Sequence, residues 1–296
     1  MNFGKSALPT LDECVIDALS LFACQPPPKL DLPHFSRPLV VGSGNAAVTG
    51  KILFEGSDAV FADESTYLAK LSSIHSIDGC VLISASGGKH APIIAKEVSK
   101  RKLPIILLTN NPNAPASKFA SHTIVFPKNP EPYTYNTSTY LGMVLAKTGE
   151  NPLLIKKFLE GIRVPSNLGK YNAFFILVPL EMEPVREMFL AKFDELFGPK
   201  VVGRAFTLEQ AKHAKTVVGS DSELFIGLGE SARRLSRRCL DISLPPKASY
   251  ATLIAAGYYI IGKIQGQHPP YFKDSIESYL ERASKDFHEK IPLIVE

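Results

Sequence analysis

Short apolar runs that stop abruptly at small polar residues decide what this chain can fold into. Pro38-Leu39-Val40-Val41, Cys80-Val81-Leu82-Ile83 and Pro104-Ile105-Ile106-Leu107-Leu108 are apolar at successive positions, not at alternate ones. A strand that is apolar on both faces must be covered on both faces, as in a parallel sheet between helical layers. Ala59-Val60-Phe61 and His122-Thr123-Ile124-Val125 read as two further strands. Helical stretches separate them, one after Asn45 through Leu53 and one from about Pro92 to Lys100. This alternation predicts an α/β fold with a doubly wound parallel sheet.

An amphipathic helix should precede the sheet, with Leu11, Val15, Ala18, Leu19 and Phe22 on one face, Thr10 as N-cap and Pro26-Pro27-Pro28 as its stop. After a Pro-rich break at Pro127 to Pro132, a helix should start near Asn136-Thr137-Ser138-Thr139, capped by Thr137 or Ser138. The stretch from Glu150 to Lys170 reads as a helical connection. The pattern then restarts, with strands at Ala173 to Val178, Glu223 to Gly227 and Cys239 to Leu244. Helices are expected at Pro184 to Phe197, Ser249 to Ile264 and Asp274 to Phe287. Two α/β units joined near residue 165 follow, spanning 1–165 and 166–296.

Parallel sheets bind ligands outside the C-terminal ends of their strands. Two loops should lie there, Gly42-Ser43-Gly44-Asn45 and Ser84-Ala85-Ser86-Gly87-Gly88-Lys89. The second passes from a strand to a helix, which places backbone N–H groups and the positive end of a helix dipole at one point, suited to phosphate or carboxylate. Ser84 and Ser86 add hydroxyl donors, the glycines allow close approach, and Lys89 adds a full charge. The same composition also serves an ordinary strand-to-helix turn.

Other features exclude classes of function. At 296 residues the chain can bury one large core or two medium ones. No apolar run approaches the ~20 residues that cross a bilayer, and Met1 to Lys5 does not lead into a signal-peptide core. The net charge of +4, with both signs interspersed, gives no nucleic-acid footprint. Cys14, Cys24, Cys80 and Cys239 form no CxxC, so neither a metal site nor a disulfide framework is expected, and a cytoplasmic location is.

Ser84-Ala85-Ser86-Gly87-Gly88-Lys89 resembles the SxSGxT phosphosugar loop of the sugar isomerase (SIS) family, on the third strand of a doubly wound unit as in that family. The stretch from Gly42 to Gly50 is similar to the GMGGSAIGG loop of bifunctional phosphoglucose/phosphomannose isomerases. Asn136-Thr137-Ser138-Thr139 resembles the VAST-K element of the isomerase half of glucosamine-6-phosphate synthase. Both relatives carry two SIS units in tandem, so the resemblance implies two three-layer αβα sandwiches and a homodimer. It also implies a sugar-phosphate ligand held by Gly42, Ser43, Gly44, Asn45, Ser84, Ser86, Gly87, Lys89, Ser138 and Thr139, with no cofactor. Lys89 stands where the family has a phosphate-binding threonine, and its longer stem would shift the anion.

An aldose–ketose isomerase needs a base to move a proton between adjacent carbons and an acid/base group to open the ring. Lys192 and Glu195 match the K-L-K-E pattern that holds the proton-transfer glutamate in the synthase's isomerase half. Gln210-Ala211-Lys212-His213 resembles its ring-opening histidine segment, although the interval from Glu195 is two residues longer and Gln210 replaces a glutamate. Lys192, Asp194 and Glu195 also fit a solvated helix face, and His213 a surface histidine. The reading is an enediol(ate) phosphosugar isomerase. A non-catalytic sugar-phosphate sensor and a deglycase or deaminase of an amino-sugar phosphate are the alternatives. A C-terminal lysine, Lys273 or Lys290, is implied by the resemblance, and Arg237 or Arg238 is a further phosphate candidate.

Overall fold

A computed structural model describes residues 8–295, so Met1 to Lys5 and the expectation attached to them lie outside the described residues. In chain order the elements begin with α1 (Leu11–Cys24), β1 (Pro38–Val41), α2 (Asn45–Leu53), β2 (Val60–Ala62) and α3 (Tyr67–Ser73). They continue with β3 (Gly79–Ile83), α4 (Ala91–Lys100), β4 (Ile105–Thr109), β5 (His122–Val125) and β6 (Glu131–Pro132). Helices α5 (Thr137–Thr148) and α6 (Pro152–Glu160) lead to β7 (Ala173–Val178), α7 (Arg186–Phe197), β8 (Val202–Thr207), α8 (Leu208–Lys212) and β9 (Glu223–Leu228). The chain ends with β10 (Cys239–Ile242), α9 (Tyr250–Gln265), α10 (Tyr271–Asp286) and β11 (Ile294–Val295). No described helix is long and apolar enough to cross a membrane.

Two compact units result. One comprises Cys24–Lys128 and Ser138–Gly149; the other comprises the chain up to Ala23, Asn129–Thr137, and everything from Glu150 onward. The boundary expected near residue 165 therefore falls inside the second of these.

The first unit holds a five-stranded parallel sheet in the order β2-β1-β3-β4-β5. Its central strands are buried at every position. Side chains alternate across the sheet. Leu39, Val41, Leu82, Ile105 and Leu107 join one core with Ile94 and Val98 of α4. Val40, Val81, Ile83, Ile106 and Leu108 join the other with Ala46 and Leu53 of α2 and Met143 of α5. Each such side chain contributes about 1.5–3 kcal/mol by leaving water. The doubly wound sheet expected from the apolar runs is present here with helices on both faces.

The second unit holds a four-stranded parallel sheet in the order β10-β9-β7-β8. Its β8 was not expected from the sequence. Gly203 and Arg204 interrupt the apolar pattern, and both have packing reasons. A Cβ at Gly203 would lie 2.2 Å from the Phe193 ring. The Arg204 guanidinium lies 4.8 Å from the centre of the Phe175 ring and pairs with the buried Glu223 at 2.9 Å. One face packs Phe174 on Phe193 of α7. The opposite face, with Phe175 stacked on Phe225, is covered by Ala211 of α8 and Ala232 of a single 3-10 turn. The full αβα sandwich expected for this half is thus reduced on one side. The β6–β11 pair, antiparallel and two residues long, was also unexpected, because Pro132 reads as a breaker.

Three interactions fix the helical layer of this unit. The Leu11 amide donates to Gln265 Oε1 (2.9 Å), and Gln265 Nε2 donates to the Tyr135 hydroxyl (2.9 Å), both buried. Lys263 pairs with Asp12 at 2.6 Å. At the N-terminus of α9, the Glu150 carboxylate accepts from the Ser249, Ala251 and Thr252 amides and the Thr252 hydroxyl. These amides are the ones a helix cannot satisfy itself, and the charge complements the dipole. Glu150→Ala should cost about 2–3 kcal/mol, read as a lowered denaturation midpoint with an unchanged m-value.

Candidate functional site

In the five-stranded unit the chain turns from β1 outward to β2 and returns to β3 on the other side. The crevice between the ends of β1 and β3 is therefore the topological switch point, where such sheets bind ligands. The loop after β1 and the loop after β3 both open there, as expected. Gly44 has a left-handed φ of 56° just before α2. The Ser43 hydroxyl donates to the carboxylate of Glu64, which follows β2. Glu64 is thus a candidate that motif reading missed. Its signal was only its position at a strand's C-terminal end.

The loop after β3 is held in an unusual shape. Gly87 and Lys89 both have left-handed φ, 61° and 50°. A Cβ at Gly87 would lie 2.4 Å from Ala114 Cβ, so the position takes only glycine. Ser84 Oγ accepts from the Gly87 amide (3.1 Å) and Ser86 Oγ from the Gly88 amide (3.2 Å). A hydroxyl that accepts in this way keeps its own proton to donate. His90 precedes α4, and no side chain caps that helix.

Asn110 and Asn111, after β4, tie this loop to the start of α5. The Asn110 amide donates to Ala85 O (3.1 Å), and Asn111 Nδ2 donates to Ser86 O (2.9 Å). Asn110 Nδ2 donates to Thr139 Oγ1 (3.0 Å) in a buried bond. The Ser84–Lys89 and Ser138–Thr139 elements, whose nearest ends are 49 positions apart in sequence, are thus linked through one asparagine. Ser138 and Thr139 are each only 1 % exposed, and the Thr139 hydroxyl is the acceptor in this linkage. The expected caps of α5 are replaced: Glu131 Oε2 accepts the Thr137 amide (2.6 Å), and Thr137 Oγ1 has no hydrogen-bond partner.

In the other unit, Lys192 is fully buried, which removes for it the alternative of a solvated helix face. Its Nζ donates to Glu195 Oε2 (2.6 Å) and to the Thr134 carbonyl (2.8 Å), and lies 5.7 Å from the Tyr258 ring centre. Thr134 has a φ of 82°, a rare conformation for a β-branched residue. Strain of this kind persists where the surroundings over-determine it. Burial holds the Glu195 carboxyl above the usual glutamate range, against the opposing pull of Lys192. Its side chain still keeps 28 % exposure. A carboxyl raised in this way is suited to abstract and return a proton.

His213 follows α8 and is exposed. Gln210 forms a reciprocal capping box with Thr207, and its Nε2 donates to Glu183, which gives this residue a structural task. Arg238 pairs with Asp221 and donates to Ser220 O. Lys273 lies on α10, and Lys290 is exposed beyond it.

Two outcomes test this geometry. Gly87→Ala should cost about 1–3 kcal/mol through its backbone conformation and the Ala114 contact, measured by denaturant unfolding. For Glu195 the folded state holds its proton to higher pH than the unfolded chain does. Stability should therefore fall as pH rises from the ordinary value of 4.5 through the raised one. Glu195→Gln should lose that slope in pH-dependent melts.

Residues 42–147 match the SIS domain. Three solved structures share the fold across most of this chain. Tagatose-6-phosphate ketose/aldose isomerase from Escherichia coli is 12 % identical, with 89 % of this chain and 92 % of that one covered and a TM-score of 0.59. Glucosamine-6-phosphate deaminase from Thermotoga maritima is 15 % identical, with 88 % and 94 % covered and a TM-score of 0.58. The C-terminal domain of glucosamine-fructose-6-phosphate aminotransferase from Francisella tularensis is 14 % identical, with 86 % and 94 % covered and a TM-score of 0.56. At these identities the likeness is one of fold. No curated protein matches the sequence.

Proposed function

We propose that the chain binds a phosphorylated sugar at the β1/β3 crevice and interconverts its aldose and ketose forms through an enediol(ate). The observation that carries the binding half is the loop after β3. Ser84 and Ser86 accept backbone amides and keep their O–H groups to donate, while Lys89 supplies a full charge. Gly42, Ser43, Gly44 and Asn45 would line the sugar, with Glu64 accepting from its hydroxyls. Ser138 and Thr139 would complete the phosphate cradle. The match of residues 42–147 to the SIS domain supports this ligand class.

For the reaction, Glu195 is the proposed base. Its partly buried carboxyl is held by Lys192, and its pKa is raised above the ordinary glutamate value, which favours it as a base that also returns the proton. His213 is the proposed aid to ring opening. The reaction needs no metal or nucleotide. In this reading the chain is a phosphoglucose/phosphomannose-like isomerase built of two SIS-like units in tandem, acting as a cytoplasmic homodimer. One observation favours a non-catalytic sensor instead: Lys89 replaces the threonine of the phosphosugar loop. A deaminase of an amino-sugar phosphate is the third outcome the same assays distinguish.

Glucose-6-phosphate and related sugar phosphates should raise the melting temperature, and the parent sugars should not do so through this loop. At 100 times the dissociation constant the stabilisation should be about 2.7 kcal/mol. Ser86→Ala and Lys89→Ala should each reduce it. A shift that survives both substitutions would sink the phosphate-loop assignment.

Turnover is read separately, as exchange of a substrate proton with deuterated solvent. Glu195→Gln should slow it by about 10²–10⁴-fold while leaving the thermal shift nearly intact. His213→Asn should be milder, and most defective with a closed-ring substrate. Absence of exchange in wild type for every sugar phosphate that binds would establish the sensor reading. Release of ammonia would establish the deaminase.

A further inference from the structure

The four-stranded sheet has a switch point of its own. From β7 the chain crosses to β8 on one side and then back past β7 to β9, so β7 and β9 feed loops in opposite directions. A cavity of about 450 Å³ opens at their C-terminal ends, between the loops after β7, β9 and β10. That volume is within the range of small-molecule sites.

Its walls are pinned. The Tyr250 hydroxyl donates to Glu181 O (2.8 Å), which anchors the loop after β7. Asp241 accepts from the Ser231 hydroxyl (2.8 Å) and the Ala232 amide (2.8 Å), which anchors the loop after β9. Gly229 has a left-handed φ of 78°, and a Cβ there would meet Leu244 at 2.9 Å and Pro179 at 3.1 Å. The three loops therefore close on one another only with glycine at this point.

The lining has a definite chemistry. Pro179, Met182 and Leu244 give it an apolar surface, and Glu181, Glu230 and Asp241 give it three carboxylates against one lining cation, Lys247. Arg233 lies 3.6 Å from Asp241 with its side chain 81 % exposed. The α9 N-terminus would otherwise draw an anion to this edge, but the Glu150 carboxylate already fills it. A phosphate would meet a net negative wall and find the helix end taken. A sugar ring offers a C–H face to the apolar surface and O–H donors to the carboxylates. An ammonium adds a charge-assisted bond.

We propose that this crevice is a second ligand site, one that takes an unphosphorylated, hydroxyl-rich ring and prefers an amino sugar. It stands independently of the phosphosugar reading, since it uses other residues and the opposite charge preference.

Met182 reports on it directly. The sequence has four methionines, and Met182 is in the lining of the cavity. With ¹³C-methyl methionine, the Met182 resonance is assigned by Met182→Leu. Titrations are run in a Ser86→Ala/Lys89→Ala background, which removes the proposed phosphate grip. Glucosamine should shift the Met182 methyl saturably below about 10 mM, glucose more weakly, and glucose-6-phosphate least. Glu181→Gln/Glu230→Gln should raise the glucosamine dissociation constant about tenfold by removing charged acceptors. The proposal is overturned if neither glucosamine nor glucose moves Met182 in that range. It is equally overturned if glucose-6-phosphate acts as strongly as glucose, or if the double carboxamide variant binds glucosamine as before.

Discussion

Everything in the five-stranded unit follows from covering β1, β3 and β4 on both faces. Once Leu39, Leu82 and Leu107 are buried under one helical layer and Val40, Val81 and Ile106 under the other, no ligand can reach the sheet through either face. Only the strand ends stay open. The polar residues that terminate each apolar run are therefore the ones a ligand meets. Fold and site location are two consequences of one burial requirement.

Within that opening, the loop conformations depend on a few short polar contacts. Asn110 spends its amide on Ala85 and its side chain on Thr139, so it fixes the relation between two elements far apart in sequence. Buried bonds of this kind specify geometry more than they add net stability, because breaking one leaves a partner unsatisfied. The two sheets also treat helix N-termini differently. Glu150 neutralises the start of α9 from within the chain, whereas α4 begins without a side-chain cap beside Lys89. The same backbone chemistry serves architecture in one place and leaves an anion-seeking point in the other.

The sequence was most legible where burial is two-sided. Runs such as Ile105 to Leu108 admit few other readings, and the loops that end β1 and β3 could be placed at strand ends from them. It was least legible where a residue works through one specific neighbour. Gly203 and Arg204 look like breakers until Phe193 and Phe175 are seen against them, and so β8 was missed. Glu64 and Asn110 carry no motif, and their roles depend on strand order, which a local pattern does not encode. Lys192 was open to a surface reading because burial of a lysine needs partners that no spacing reveals, here Glu195 and the strained Thr134 carbonyl. The split near residue 165 followed the repeat of the pattern, but compactness follows contacts, and α1 makes its contacts with α9.

That last pairing bears on how the molecule is made. The Leu11 amide waits for Gln265, and Asp12 for Lys263, so α1 is made long before the partners it will find. At typical elongation rates the interval is on the order of ten to fifty seconds. Throughout it the apolar face of Leu11, Val15, Leu19 and Phe22 has no core to enter, while β1 to β5 can already pair among themselves. Synthesis therefore imposes an order, the five-stranded unit closing first and the four-stranded unit only after its last helices emerge. For that period the nascent chain carries the apolar face of α1 uncovered, a consequence of pairing residues 254 positions apart in sequence.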